Sequence, residues 1–287
     1  MITLQAECVL RTDAVLGEGP VWDAARACLW WVDIEKKELH CFEPAAGEDR
    51  LFPLPERIGF AVPTDRGDLI IGQGNRLARF DPTTAALTPF CAPEAEPADN
   101  RFNDAKFDPA GRLWAGTMAV SEAPDRGTLY RIDPLGAITR MLTPVSISNG
   151  LAWSPDARTM FFVDSPTRRV AAFDFELETG AIENRRTVIE TTESFPDGMC
   201  SDAAGNLWIA LWGGWSVACF DPRTGTQLAK IEVPVERVTS CCFGGEKGQD
   251  LYITTASRDL TSETRARQPL AGSVFVAKPS TARLAAC

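Results

Sequence analysis

Four side chains in this sequence offer oxygen at positions where it could hold a hard cation: Glu18, Asn103, Asn149 and Asp197. They stand in Gly17-Glu18-Gly19-Pro20, Phe102-Asn103-Asp104, Asn149-Gly150 and Asp197-Gly198. Singly, the Asn-Gly and Asp-Gly pairs read as turns, and Gly17-Glu18-Gly19 reads as a loop with an exposed glutamate. Together they make a set of two carboxylates and two amides with no histidine. Such a set suits Ca²⁺, Mg²⁺ or Mn²⁺, and it admits zinc or ferrous iron less readily. Brought into one place without a cation, the carboxylates would repel and the amides would go unpaired. Spare coordination positions would take water and a substrate, which is the arrangement Lewis-acid hydrolysis requires. Arg101 beside Asn103 adds a fixed cation, or else an ion pair with Asp99 or Asp104.

These residues meet only if the chain repeats. An apolar step after a polar turn recurs at Leu29-Trp30-Trp31-Val32, Leu69-Ile70-Ile71, Leu113-Trp114-Ala115, Met160-Phe161-Phe162-Val163, Leu207-Trp208-Ile209 and Leu251-Tyr252-Ile253. Successive steps lie 40, 44, 47, 47 and 44 residues apart. The turns before them are polar and mostly carry Asp with Gly or Pro, as in Asp108-Pro109-Ala110-Gly111 and Asp202-Ala203-Ala204-Gly205. A further strand follows each step and most end in Asp, as in Leu129-Tyr130-Arg131-Ile132-Asp133-Pro134. Proline there stops pairing because it has no N–H to donate. Four short strands per period predict an all-β fold, a six-bladed β-propeller with four-stranded blades and a central channel. The strand near Cys8-Val9-Leu10 is expected to complete the last blade, and residues 1–287 to form one domain.

Counting back 10 or 11 residues from each step reaches Glu18, Ile58-Gly59, Phe102-Asn103, Asn149-Gly150, Pro196-Asp197 and Ser240-Cys241. Each begins the innermost strand of its blade, beside the axis. Independent turns have no reason to fall in register, so the shared offset favours a site.

Composition closes off other chemistry. The net charge is −10 and no basic run exceeds Arg168-Arg169 or Arg185-Arg186, so nucleic acid is not an expected partner. Nine cysteines without a C-x-x-C pair point to reduced thiols and a cytoplasmic protein. No apolar run at the N-terminus reads as a signal peptide, and none elsewhere reaches the roughly 20 residues of a membrane span. The one histidine, His40, falls in the strand after an apolar step, away from the axis, and no Gly-x-Ser-x-Gly occurs. A serine triad is therefore not an expected mechanism. Cys241 shares the axial offset without a histidine, and Cys241-Cys242 read as packed or channel-lining thiols. A closed ring has few free edges, so a monomer is expected.

At these residues the chain resembles the regucalcin and sugar-lactonase family. The resemblance is carried by Gly17-Glu18-Gly19-Pro20, Asn100-Arg101-Phe102-Asn103-Asp104, Gly116-Thr117-Met118, Ser148-Asn149-Gly150-Leu151, Pro196-Asp197-Gly198-Met199 and Thr239-Ser240-Cys241-Cys242-Phe243-Gly244-Gly245. It implies a propeller with one divalent metal ion (Ca²⁺, Zn²⁺, Mn²⁺, Mg²⁺ or Fe²⁺) and hydrolysis of a small-molecule sugar lactone. It places Glu18, Asn149 and Asp197 as metal ligands, Asp197 also as the catalytic base, and Arg101 and Asn103 as substrate contacts. The family also uses an acidic residue after the Gly-Thr-Met stretch. Here Ser121 stands at that place and Glu122 one residue on, and Glu122 is taken as the substrate contact. The loop departs from the family there, which leaves the sugar open among gluconolactone, xylonolactone, arabinolactone and galactonolactone. A calcium-binding protein without turnover and a phosphotriester or fluorophosphate hydrolase on the same site are the alternatives.

Overall fold

In three of the six blades an aspartate caps the turn between the first and second strands. The carboxylate of Asp202 accepts from the backbone N–H groups of Ala204 and Asn206, both at 2.9 Å. It also accepts from the indole N–H of Trp208 at 3.2 Å, so the turn is tied to the core residue that follows it. Asp23 with Trp30 and Asp108 with Trp114 repeat this at 3.2 and 3.0 Å. The indoles bury large apolar area while their one polar atom is satisfied.

A computed structural model describes residues 2–279, so the ends of the 1–287 expectation lie outside the described residues. The chain forms six four-stranded antiparallel blades in a ring, as the repeats predict. Their inner strands are Gly17–Asp23, Ile58–Pro63, Asn100–Phe107, Ser148–Trp153, Phe195–Ser201 and Val238–Gly244, which we number as blades 1 to 6. Inner strands of neighbouring blades pack around the axis, and the ring closes where blade 6 meets blade 1. Glu7–Leu10 supplies the outermost strand of blade 6 by pairing with Val274–Ala277, which fulfils the expectation for Cys8-Val9-Leu10. The preceding strand, Ile2–Gln5, was not foreseen. It adds a fifth, parallel strand to the edge of blade 5 against Thr226–Glu232.

The core lies between blades. Trp30, Val32, Ile58, Ala61, Ile71 and Phe80 form one buried cluster joining blades 1 and 2. His40 belongs to this scaffold: its ring stacks on Trp31 at 3.8 Å, and Nδ1 lies 2.7 Å from Asp49 Oδ2. Among the described residues no helix is long and apolar enough to cross a membrane.

One departure from regular pairing positions the site. In blade 1 Glu18 faces Val32 and Val21 faces Trp30, so the inner strand carries one extra residue. The same break follows Ile58, Phe102, Asn149, Pro196 and Val238. A bulge bends its strand and re-aims a side chain. Six bulges at one height turn the residues at the shared offset toward the axis.

Candidate metal and substrate site

Glu18, Arg101, Asn103, Glu122, Asn149 and Asp197 all line one cavity of about 410 Å³ at the mouth of the channel. The turn reading of Asn149-Gly150 and Asp197-Gly198 does not hold, since both pairs lie inside inner strands. The glycines serve close approach instead. A Cβ on Gly150 would stand 2.7 Å from the Asp197 carbonyl, and one on Gly198 would stand 2.0 Å from Ser240 Oγ. Only a residue without a side chain lets these inner strands come so near.

Asn149 is held by its amide nitrogen. Nδ2 donates to Ser165 Oγ at 2.9 Å, and Ser165 Oγ donates to the Pro196 carbonyl at 2.7 Å. This fixes which end of the amide is oxygen, and Oδ1 is left toward Asn103 Nδ2 at 3.2 Å. Asn103 Nδ2 also donates to the Ser148 carbonyl at 2.8 Å. Its Oδ1 accepts from Arg101 Nη1 at 2.6 Å. The alternative ion pair of Arg101 with Asp99 or Asp104 is not formed: Asp99 pairs with Arg126 at 3.1 Å, and Asp104 Oδ1 accepts from the Ala105 N–H at 2.7 Å. Glu122 is half exposed and ion-paired with Arg258 at 2.7 Å, while Ser121 is exposed.

The two carboxylates are buried, with few partners. Glu18 accepts from the Gly19 N–H at 2.9 Å, where Gly19 takes a left-handed φ of 52°. Asp197 Oδ1 is buried and has no hydrogen-bond partner. Burial, then the like charge of Asp104, pushes the Glu18 carboxyl up to about 8. Burial, then Glu18 and Asp104, pushes Asp197 well above the usual carboxylate range. Arg101 is pulled down to about 10, chiefly by burial. An orphaned buried carboxylate oxygen beside a second buried carboxylate and an oriented amide oxygen is what a divalent cation would satisfy. The residues present therefore fit such an ion. Among the described residues no three His, Cys, Asp or Glu side chains form a metal cage by themselves.

Several groups at the channel escaped sequence reasoning. Asp104 sits beside Asn103 at the bulge and acts on both carboxylates. Lys106 Nζ reaches across from blade 3 to the Met199 carbonyl of blade 5 at 2.7 Å. Ser165, Trp212, Arg237 and Arg258 line the cavity from strand ends and loops. The periodic offset could not find them, because these segments differ in length from blade to blade. Cys241 is packed rather than reactive: Sγ donates to the Trp208 carbonyl at 3.4 Å and lies 3.8 Å from Cys200 Sγ.

Residues 16–257 match the protein family described as the SMP-30/gluconolactonase/LRE-like region. Regucalcin from Danio rerio is 39% identical over 279 residues, which cover 96% of this chain and 94% of that protein. A calcium-binding protein, regucalcin, from Agrobacterium tumefaciens has a similar structure, with a TM-score of 0.91, 29% identity and coverage of 96% of this chain and 94% of that one. A luciferin-regenerating enzyme has a TM-score of 0.89 at 28% identity, covering 96% of this chain and 95% of its own.

Proposed function

Because the chain belongs to the SMP-30/gluconolactonase/LRE-like family, we propose that it is a divalent-metal-dependent lactonase that opens an aldonolactone to the aldonic acid. The observation that carries this reading is Asp197 Oδ1, buried and unpartnered on the wall of a cavity shared with Glu18, Asn149, Arg101 and Asn103. A calcium-binding relative and a family that includes gluconolactonases support it. Glu18, Asn149 and Asp197 would hold the ion, which when bound would polarise the lactone carbonyl and stabilise the negative charge that develops on its oxygen.

The chain's own residues do the rest. Asp197 accepts a proton from the attacking water, whose oxygen adds to the carbonyl carbon as the ring C–O bond breaks. The ring oxygen takes up a proton and becomes the hydroxyl of the product acid. A metal-ligating carboxylate is a weak base, and an activated ester needs no stronger one. Arg101 and Asn103, locked to each other at 2.6 Å, hold sugar hydroxyls and fix the ring against that water. The Asn149–Ser165–Pro196 chain keeps the amide oxygen turned toward the cavity.

The test is proton release from gluconolactone, xylonolactone, arabinolactone and galactonolactone, with EDTA-treated protein and then with Ca²⁺, Zn²⁺, Mn²⁺, Mg²⁺ or Fe²⁺ restored. Metal-dependent turnover is expected. Tight metal binding with no turnover of any lactone would replace this reading with a calcium-binding protein.

A further inference from the structure

Two arginines of the cavity lining, Arg237 and Arg258, take no part in lactone opening. With Arg101 they put three guanidinium groups around the cavity, and Glu122 and Asp259 are the carboxylates at its rim. Arg101 is buried, and its hydrogen bonds go to neutral acceptors, the Phe102 carbonyl and the Asn103 amide oxygen. The Arg237 guanidinium lies over the Trp212 ring, 5.0 Å from its centroid. Its side chain is only 16% exposed, and the Asp259 carboxylate stands 3.6 Å from Nη1, beyond a hydrogen bond. Arg237 Nη1 is buried with no acceptor.

Arg258 and Glu122 come from opposite sides of the ring. Glu122 follows the second strand of blade 3, Leu113–Ala119, and Arg258 follows the second strand of blade 6, Asp250–Thr255. Their 2.7 Å ion pair therefore spans the mouth of the channel.

A charged donor buried without an acceptor is costly. Arg237 lines the cavity with Nη1 itself closed off from it, so a shift of the guanidinium toward a ligand is what would supply the missing acceptor. A sugar hydroxyl offers one acceptor and no charge. A carboxylate or phosphate offers two oxygens matched to the guanidinium fork and cancels the charge as well. With Glu18 and Asp197 neutralised by a divalent ion, the arginines outnumber the remaining lining carboxylates, and the cavity favours an anion.

We infer that the substrate is an anionic lactone, carrying a carboxylate or phosphate away from its ring carbonyl, and that Arg237 and Arg258 form the subsite that holds this group. The incoming anion draws the Arg237 guanidinium toward the cavity, gives Nη1 the acceptor it lacks, and displaces Glu122 from Arg258, which opens the mouth. Trp212 fixes the plane of the Arg237 guanidinium. The inference rests on the lactonase reading and narrows its substrate class.

The test compares kcat/KM by proton release for gluconolactone, glucarolactone and a phosphorylated gluconolactone, using metal-restored full-length protein. One of the two anionic lactones is expected to be preferred at least about tenfold over gluconolactone, and which one it is separates carboxylate from phosphate. That ratio should fall about tenfold to a hundredfold in Arg237→Gln or Arg258→Gln, less in Arg237→Lys, and should rise in Glu122→Gln. Melting temperatures of the same samples confirm that each variant is folded. Equal kcat/KM for neutral and anionic lactones, or a ratio unmoved by both Arg→Gln variants, would overturn the inference and leave the lactonase reading standing. Absence of turnover with every lactone and metal would overturn the lactonase reading instead. Binding then decides the subsite: a larger thermal shift from glucarate than from gluconate, lost in Arg237→Gln, supports it, and equal shifts refute it.

Discussion

Replacing Ser165 with alanine removes one oxygen that makes two buried hydrogen bonds, at 2.9 Å from Asn149 Nδ2 and 2.7 Å to the Pro196 carbonyl. Asn149 Nδ2 then lacks a hydrogen-bond partner, and the Pro196 carbonyl loses its side-chain donor. A net hydrogen bond contributes about 0.5–1.5 kcal/mol, and an orphaned buried group costs about 1–3 kcal/mol. A loss of roughly 1–3 kcal/mol in stability follows, or about 2–6 °C in melting temperature for a chain of this size. The functional effect is separate and larger in kind. Without Ser165 the Asn149 amide is free to turn, and in half of its orientations it points N–H groups, not oxygen, at the place a cation would occupy. Partners that orient a metal ligand typically change metal affinity by about 10-fold to 100-fold. Titration calorimetry of EDTA-treated protein with Ca²⁺ or Mn²⁺ measures this directly. Ser165→Thr, which keeps the hydroxyl, should recover most of the affinity. If Ser165→Ala lowers the melting temperature but binds metal as tightly as the parent, Ser165 is only structural and the orientation argument fails.

Three further outcomes are expected. In metal-free protein, Glu18 titrates near 8, far above an unfolded glutamate, so its contribution to stability is complete in acid and is lost as pH rises. The melting temperature of EDTA-treated protein should therefore fall from about pH 5 to about pH 9, and Glu18→Gln or saturating divalent metal should flatten the slope. A level profile in the EDTA-treated parent would contradict this. Asp202→Ala should cost about 3 kcal/mol through the lost turn cap and the unpaired Trp208 indole while leaving kcat unchanged, although Asp197→Ala, five residues earlier, should abolish both metal binding and turnover. Gly198→Ala should destabilise by about 1–3 kcal/mol or misplace Asp197, since its Cβ would stand 2.9 Å from the Ser240 Cα; urea melts and metal titration of that variant report the two effects separately.

The repeat was legible because strand alternation and turn chemistry are local. Asp with Gly or Pro before an apolar pair specifies a turn wherever it occurs, and six polar turns, most of this kind, at near-equal spacing imply six superposable blades. The oxygen-bearing residues were legible for the same reason, since equal offsets in equal blades are equal heights on one axis. Their bulges were not, because an extra residue on one strand is visible only against the register of its partner. The parallel strand Ile2–Gln5 was hidden likewise, its place depending on which sheet edge lies open after the ring closes.

By itself, then, the sequence determined the blade count, the metal-suited oxygen set and the lack of histidine chemistry, all of which follow from residue type and period. Only the tertiary structure decided how those groups are wired. Ser165 comes to Asn149 from a strand end within blade 4, while Arg258 and Glu122 meet from opposite sides of the ring. Contacts made by loops of unequal length have no period, and their partners are chosen by the closed ring rather than by distance along the chain.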